Sequence, residues 1–252
     1  MTKIILSGCL GKMGTMISNC IKENPLAEIV AGIDINNKDQ NNNYPYPVFD
    51  NILKCNVEAD VIIDFSRPSS LNSLISFCEL KSMPIVLCTT GFTDGQLSQI
   101  GELSHKVAVF KSANMSIGIN VINSVLKSIA SKLYDDYDIE IIEKHHNQKV
   151  DSPSGTALLL ADTIKDSLNS PVNYVEGRSG ISKRNHNDIG IHAIRGGNIV
   201  GDHTVIFAGT GECIEFTHKA ISREVFAIGA IKAAIFLKGK GPGLYNMDDL
   251  LK

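Results

Sequence analysis

The chain has no excess of positive charge, no paired-cysteine motif and no long apolar run, and each absence removes a class of function. Lys and Arg number 24 against 27 Asp and Glu, a formal net charge of -3, so the basic face that nucleic acid binding calls for is missing. Small anions must be attracted locally. Cys9, Cys20, Cys55, Cys78, Cys88 and Cys213 show no C-x-x-C spacing and mostly sit in apolar runs, which argues for reduced thiols and against a zinc or other metal site. No stretch approaches the roughly 18 apolar residues of a membrane span, and Met1 leads into a strand rather than an apolar leader. A cytoplasmic, soluble protein is expected. No internal repeat is present.

What the 252 residues do have is an ordinary globular composition, 43% hydrophobic and 20% charged, enough for one large core or two modest ones. Lys3-Ile4-Ile5-Leu6-Ser7 reads as a short buried strand. It runs at once into Gly8-Cys9-Leu10-Gly11-Lys12-Met13-Gly14 and an apolar-periodic helix through Ile17 and Ile21, the order that a dinucleotide pyrophosphate needs. The middle glycine is displaced from the usual G-x-G-x-x-G, so the turn alone is weak evidence. A second strand strengthens it by ending in Asp34, a carboxylate placed to accept hydrogen bonds from adenosine ribose hydroxyls. The plain alternative is a tight turn and a solvated acid.

Strand-like runs recur at 61–65, 84–88 and 107–110, separated by helical segments near 71–80 and 96–103. This alternation predicts a Rossmann-type, doubly wound parallel sheet with helices on both faces. The polar run 36–43 and Tyr44-Pro45-Tyr46-Pro47 read as a linker loop. The pattern changes after Asn114. A helix over 117–133, a half-exposed strand over 138–143 and a helix over 156–168 precede strands at 190–195, 198–200, 203–208 and 213–217. Neighbouring strands joined by tight turns predict a second α+β domain with a mixed, largely open sheet. An apolar helix over 223–237 returns toward the first domain, and a short helix closes the chain.

The most informative stretch lies between the 138–143 strand and the next helix: Glu143-Lys144-His145-His146-Asn147-Gln148-Lys149-Val150-Asp151-Ser152-Pro153-Ser154-Gly155-Thr156. It gathers cationic and proton-transferring side chains ahead of a helix start, as a site for a doubly negative small molecule requires. Opening N–H groups of a helix carry partial positive charge, so a carboxylate sits well on Ser154, Gly155 and Thr156, and Lys149 adds a full charge. The competing reading is a basic surface loop with Ser152 as N-cap.

With both motifs placed, the chain resembles the 4-hydroxy-tetrahydrodipicolinate reductase (dihydrodipicolinate reductase) family over essentially its whole length. The stretch 141–158 looks like the signature E-x-H-H-x-x-K-x-D-x-P-S-G-T-A. The Gly8 to Gly14 turn, Asp64-Phe65-Ser66-Arg67-Pro68, Thr89-Thr90-Gly91, Asn114-Met115-Ser116-Ile117-Gly118 and Phe216-Thr217-His218-Lys219 are also similar. The resemblance implies a dinucleotide-binding domain from residues 1–113 and 223–252, and a substrate-binding and oligomerisation domain over 114–222. It also implies a homotetramer, and hydride transfer from NADH or NADPH to C4 of a cyclic dicarboxylate in diaminopimelate and lysine biosynthesis. Cofactor contacts then fall on Gly8, Gly11, Lys12, Met13, Gly14, Asp34, Thr89, Thr90, Gly91, Ser112, Ala113, Asn114 and Met115. Substrate contacts fall on His146, Lys149, Ser154, Gly155 and Thr156, and the acid/base roles on His145 and Lys149.

The residue types suit that chemistry by themselves. Hydride addition to a conjugated imine needs a cation beside the substrate carboxylate and a proton donor, and a lysine with a histidine partner supplies both. A purely hydrogen-bonded role for His145 is the competing view, and His105, His186, His192, His203 and His218 read as ordinary residues. Two departures stand out. Asn147-Gln148 replaces basic residues common in relatives, and Ile35 follows Asp34 where NADPH-preferring members often carry arginine, which leaves Lys12 and Lys38 as the nearby candidates for a 2′-phosphate. Two other readings remain open: another Rossmann oxidoreductase acting on a small carboxylate or imine, and a non-enzymatic nicotinamide-sensing protein.

Overall fold

The structure, a computed structural model, describes residues 1–37 and 44–252; Lys38 and most of the polar linker run lie outside the described residues. Two compact units form, Met1–Ser116 with Arg223–Lys252, and Ile117–Ser222. The chain begins β1 (Thr2–Ser7), α1 (Lys12–Ile21), β2 (Ala27–Ile33), β3 (Val48–Phe49), β4 (Val61–Asp64), α2 (Leu71–Lys81), β5 (Ile85–Leu87), α3 (Asp94–Ser104), β6 (Ala108–Lys111). It continues as α4 (Ile117–Leu133), β7 (Asp138–His145), α5 (Gly155–Asp166), β8 (Asn173–Glu176), β9 (Asp188–Arg195), β10 (Gly201–Ala208) and β11 (Cys213–Ala220). It ends with α6 (Glu224–Leu237), β12 (Gly243–Tyr245) and α7 (Met247–Leu251).

The first unit is built on a seven-stranded sheet in the order β12-β6-β5-β4-β1-β2-β3, parallel throughout. Ile4, Ile5, Leu6, Ile62, Ile63, Val86 and Val109 are fully buried, as expected of strands covered on both faces. The chain steps outward from β1 to β3, then crosses to β4 and steps the other way. That reversal opens a crevice at the carboxyl ends of β1 and β4, the usual ligand position in such sheets. Helix α1 buries Gly14, Ile17 and Ile21 at helical spacing. Helix α6 runs close to the turn before α4, because a Cβ on Gly229 would lie only 1.8 Å from the Met115 carbonyl oxygen. The two- and three-residue edge strands β3 and β12 extend the sheet beyond the strands read from sequence.

The second unit carries a mixed five-stranded sheet, β11-β10-β7-β9-β8, in which β7 runs parallel to β9 and antiparallel to β10. Strands β7 and β10 alternate strictly between the two faces. Ile139, Ile141, Val205 and Phe207 pack with Leu126, Leu160 and Ile164 of α4 and α5. The other face is only partly covered, with Ile194 47% exposed. Residues 198–200 are a turn and not the strand expected there. Gly197 has φ 50°, and the backbone pairs with the histidine loop instead: Gly196 N–H donates to His145 O (2.9 Å) and Asn147 N–H to Gly197 O (3.2 Å).

Candidate active site

Period-two alternation on β7 puts Glu143 and His145 in line with the core residues Ile139 and Ile141, so a carboxylate and an imidazole enter the helix-covered side of the sheet. The register then sets His203 of β10 opposite Glu143 and Arg195 of β9 opposite His145. Glu143 is fully buried and all its bonding capacity is directed. Arg195 Nη1 and Nη2 donate to its two oxygens at 2.7 Å each, His145 Nδ1 meets Oε2 at 2.6 Å and the Ser154 N–H donates to Oε1 at 3.0 Å. Burial works against the Glu143 charge, but Arg195 and then His145 hold the carboxyl below its ordinary value. An ionised Glu143 requires Nδ1–H on His145, so the neutral ring carries its lone pair on Nε2. Gly201 leaves room for that nitrogen, since a Cβ there would come within 3.0 Å of it.

Burial, with Lys149 and Arg195 adding to it and Glu143 opposing, lowers the His145 pKa from 6.5. The ring is therefore mainly neutral at pH 7. Lys149 Nζ holds both oxygens of Asp151 at 2.8 Å, and its N–H donates to His146 O at 3.1 Å. His146 is half-buried, while Asn147 and Gln148 are exposed and bonded to each other at 3.2 Å. Helix α5 starts one turn further on, and its N-cap is Ser154 rather than Ser152: Ser154 Oγ accepts from Ala157 N–H at 3.2 Å. Because Glu143 takes the Ser154 N–H, an incoming carboxylate meets the helix through the next residues. Gly155 leaves that approach open, with nothing within 4 Å of a Cβ built on it; Thr156 follows in the same first turn.

Three residues here were given no role of their own in the sequence reading. Glu143 and Arg195 form one buried ion pair from positions 52 apart, and His203, which reads as ordinary in sequence, packs edge-on to His145 at 5.1 Å and meets Ser154 Oγ at 3.0 Å. A signal existed for Glu143. It sits on the apolar phase of the β7 alternation, where an unpaired acid would be costly.

In the first unit, Gly8 has φ 79° and a Cβ on it would meet Phe65 O at 2.6 Å; one on Gly14 would meet Gly8 O at 2.2 Å. Both positions demand glycine. Helix α1 starts at Gly11 with no side-chain cap and no acid in its first turn, so its opening N–H groups, with Lys12 and Met13 beside them, suit a pyrophosphate. Asp34 accepts from Leu10 N–H (3.1 Å) and Asn36 N–H (2.9 Å) and retains acceptor capacity for ribose hydroxyls. A cavity of about 280 Å³ is lined by Ser7, Gly8, Gly11, Asp34 and Arg67 among others. Arg67 thus lines the same cavity as Asp34, a cation to be added to Lys12 and Lys38 as candidates for a 2′-phosphate. The Thr89 hydroxyl donates to buried Asp64 at 2.6 Å, Thr90 and Gly91 follow exposed, and Ser112 Oγ closes the 112–115 turn on Asn114 O at 3.0 Å. Ala113 and Met115 belong to that turn. Among the described residues no cluster suited to a metal ion occurs.

A glycine turn at the switch point of a parallel sheet, beside a strand-end acid, fits a nicotinamide dinucleotide, and the class is a Rossmann-type oxidoreductase using NADH or NADPH. Comparison with known sequences narrows the class. Residues 2–115 match the family described as "Dihydrodipicolinate reductase, N-terminus", and residues 118–251 that described as "Dihydrodipicolinate reductase, C-terminus". The chain belongs to the dihydrodipicolinate reductase family. An enzyme of Clostridium tetani named 4-hydroxy-tetrahydrodipicolinate reductase is 64% identical over 100% of this chain and 97% of its own. One of the same name from Caldanaerobacter subterraneus is 48% identical over 100% and 99%. A dipicolinate-bound dihydrodipicolinate reductase from Paenisporosarcina sp. TG-14 superposes with TM-score 0.81 at 26% identity, covering 98% of this chain and 97% of that one. A myo-inositol dehydrogenase from Corynebacterium glutamicum, at TM-score 0.62 and 17% identity over 100% and 92%, shares the fold alone.

Proposed function

We propose that the chain reduces 4-hydroxy-tetrahydrodipicolinate to tetrahydrodipicolinate with NADH or NADPH, the step its family contributes to diaminopimelate and lysine biosynthesis. The observation that carries this reading is a neutral, Glu143-oriented His145 in a site that also holds an ammonium and an accessible helix start. Residues 1–113 with 223–252 bind the dinucleotide, and 114–222 bind substrate. The relative solved with dipicolinate supports a flat cyclic dicarboxylate as ligand.

When bound, the reduced nicotinamide supplies a hydride to C4 of the ring. The protein manages charge and protons. Lys149 and the Gly155-Thr156 turn hold a carboxylate, with His146 and Ser154 completing the contacts. His145 Nε2, bare at neutral pH, takes the proton from the ring carbon next to C4 as the C4 hydroxyl departs, and Lys149 gives that hydroxyl the proton that makes it water. After hydride arrival the imidazolium returns its proton to the same carbon, and Lys149 regains one from solvent. One proton is consumed in total.

Among the described residues no helix is long and apolar enough to cross a membrane; the cytoplasmic location is proposed from the biosynthetic role of the family. The partly covered sheet face supports a homotetramer. The deciding experiment is an assay with freshly generated 4-hydroxy-tetrahydrodipicolinate and each reduced cofactor. Turnover is expected with this substrate; turnover only with other small carboxylates would point to a different oxidoreductase, and cofactor binding without any turnover to a sensor.

A further inference from the structure

His203 is 96 parts in a hundred enclosed, with a relative exposure of 4%, and lies on the same sheet face as Glu143 and His145. Burial first, then the neighbouring His145, pushes its pKa down to about 3, so the ring is neutral and carries one proton. Nε2 is 3.0 Å from Ser154 Oγ. Nδ1 has no hydrogen-bond partner among the described residues.

Two arrangements satisfy that distance. If the proton is on Nδ1, Ser154 must donate its only hydroxyl proton to Nε2, and the ring leaves a buried N–H without an acceptor. If the proton is on Nε2, the ring donates to Ser154 and leaves only a bare lone pair. Orphaned buried N–H groups are the rarer of the two defects in folded proteins, so the second arrangement is favoured. Ser154 Oγ then accepts twice, from His203 and from Ala157 N–H at 3.2 Å. Its own proton is left to point away from both donors.

We propose that His203 is a positioning residue, whose Nε2–H donates to Ser154 Oγ and thereby turns the Ser154 hydroxyl proton toward a carboxylate of the bound substrate. The inference rests on the reading of Ser154 as a substrate contact. It explains why a histidine is enclosed against the helix cap: a hydroxyl that can rotate freely gives a carboxylate a donor only part of the time, whereas one with both lone pairs committed is a donor always.

Two measurements on the full chain test this. Long-range proton–nitrogen correlation on protein labelled with ¹⁵N-histidine, assigned through His203→Gln, should show an Nε2–H ring at pH 7. Dipicolinate titration should show Ser154→Ala weakening binding about 10-fold or more, as for a hydrogen bond to a charged group. His203→Phe should weaken it about 5-fold alone but less than about 2-fold in the Ser154→Ala background, since partners in one network are not additive. His203→Gln, which keeps a side-chain N–H, should recover most of the affinity, and with the tautomer it decides the matter if His203→Phe does not fold. An Nδ1–H ring, or equal losses in both backgrounds, overturns the role of His203 alone. A wild-type chain that neither binds dipicolinate nor turns over overturns the proposed reaction, and the Ser154 role with it.

Discussion

Lys149 already holds an internal carboxylate, that of Asp151, so a substrate carboxylate shares or displaces an existing partner at a half-exposed position where the ion pair adds little stability. Lys149→Ala should therefore act on chemistry and affinity more than on folding: kcat falls by roughly 10² to 10⁴, as for a general acid, while NADH binding without substrate persists. Steady-state kinetics with a cofactor titration checks it, and an unchanged kcat at saturating substrate would reduce Lys149 to a binding residue. At His145 the sign can be worked out. Burial lowers the imidazole pKa from 6.5 and Glu143 opposes that lowering, so the bare Nε2 is lost only as pH falls through the depressed value. The acid limb of kcat/KM should lie below about pH 6.5, and Glu143→Gln should carry it to lower pH still, with a reduced plateau. Glu143→Gln also strips Arg195 of its buried charge partner, at a cost of about 3–5 kcal/mol, so the profile is best read well below the variant's Tm. A limb that stays in place or rises would show that another group titrates. Asp34 can accept from a free 2′-hydroxyl but repels a 2′-phosphate, so kcat/KM with NADH should at least equal that with NADPH at one ionic strength. A strong NADPH preference would overturn that, with exposed Arg67 as the first residue to replace.

At the scale of elements, the openings of α1 and α5 make opposite demands on glycine. A methyl on Gly14 would sit 2.2 Å from a backbone oxygen, so Gly14→Ala must push α1 off the turn, costing about 1–3 kcal/mol and at least tenfold in cofactor affinity. On Gly155 nothing lies within 4 Å, so Gly155→Ala should leave Tm unchanged or slightly raised while weakening dipicolinate, because the methyl fills the approach to the helix N–H groups. Thermal unfolding and titration of both variants check this; unchanged dipicolinate affinity in Gly155→Ala would move the carboxylate away from α5. These two openings were legible in the sequence because each is local: strand, glycine turn and apolar period follow one another within a few residues. The same holds for β1 and β4, whose apolar runs match their burial. What was not legible depends on pairing at long range. Edge strand β8 exists because β9 offers it a parallel partner, and the chain turns at 198–200 after Gly196 and Gly197 bond to the backbone of His145 and Asn147. Arg195 and His203 become site residues only through the β7 register, which no local pattern states.

For the whole molecule, the open face of the second sheet is the feature that a single chain leaves unresolved. Ile142 and Ile194 lie on it, away from the α4 and α5 side, and β7, β9, β10 and β11 are each 8 residues long, a broad surface with β11 as a free edge among the described strands. An exposed sheet of that extent invites pairing unless it is covered. Polar groups are already arranged on it: Glu140 takes Arg178, Arg184 and His192, and Thr204 and Thr217 meet at 3.1 Å, so a covering surface must be compatible with both apolar and paired polar rows. A second copy of the same face meets that condition by symmetry and closes a dimer, and a further two-fold contact through the β11 edge joins two such dimers into a tetramer. Sedimentation at micromolar concentration should therefore show four chains. Ile194→Asp, placed beside Lys144 in the β7–β9 register, should dissociate the assembly with little effect on the folded chain, because the residue is 47% exposed in the single subunit. A wild-type monomer with full activity would remove the proposal, and an Ile194→Asp tetramer of unchanged stability would place the interface elsewhere on the second unit.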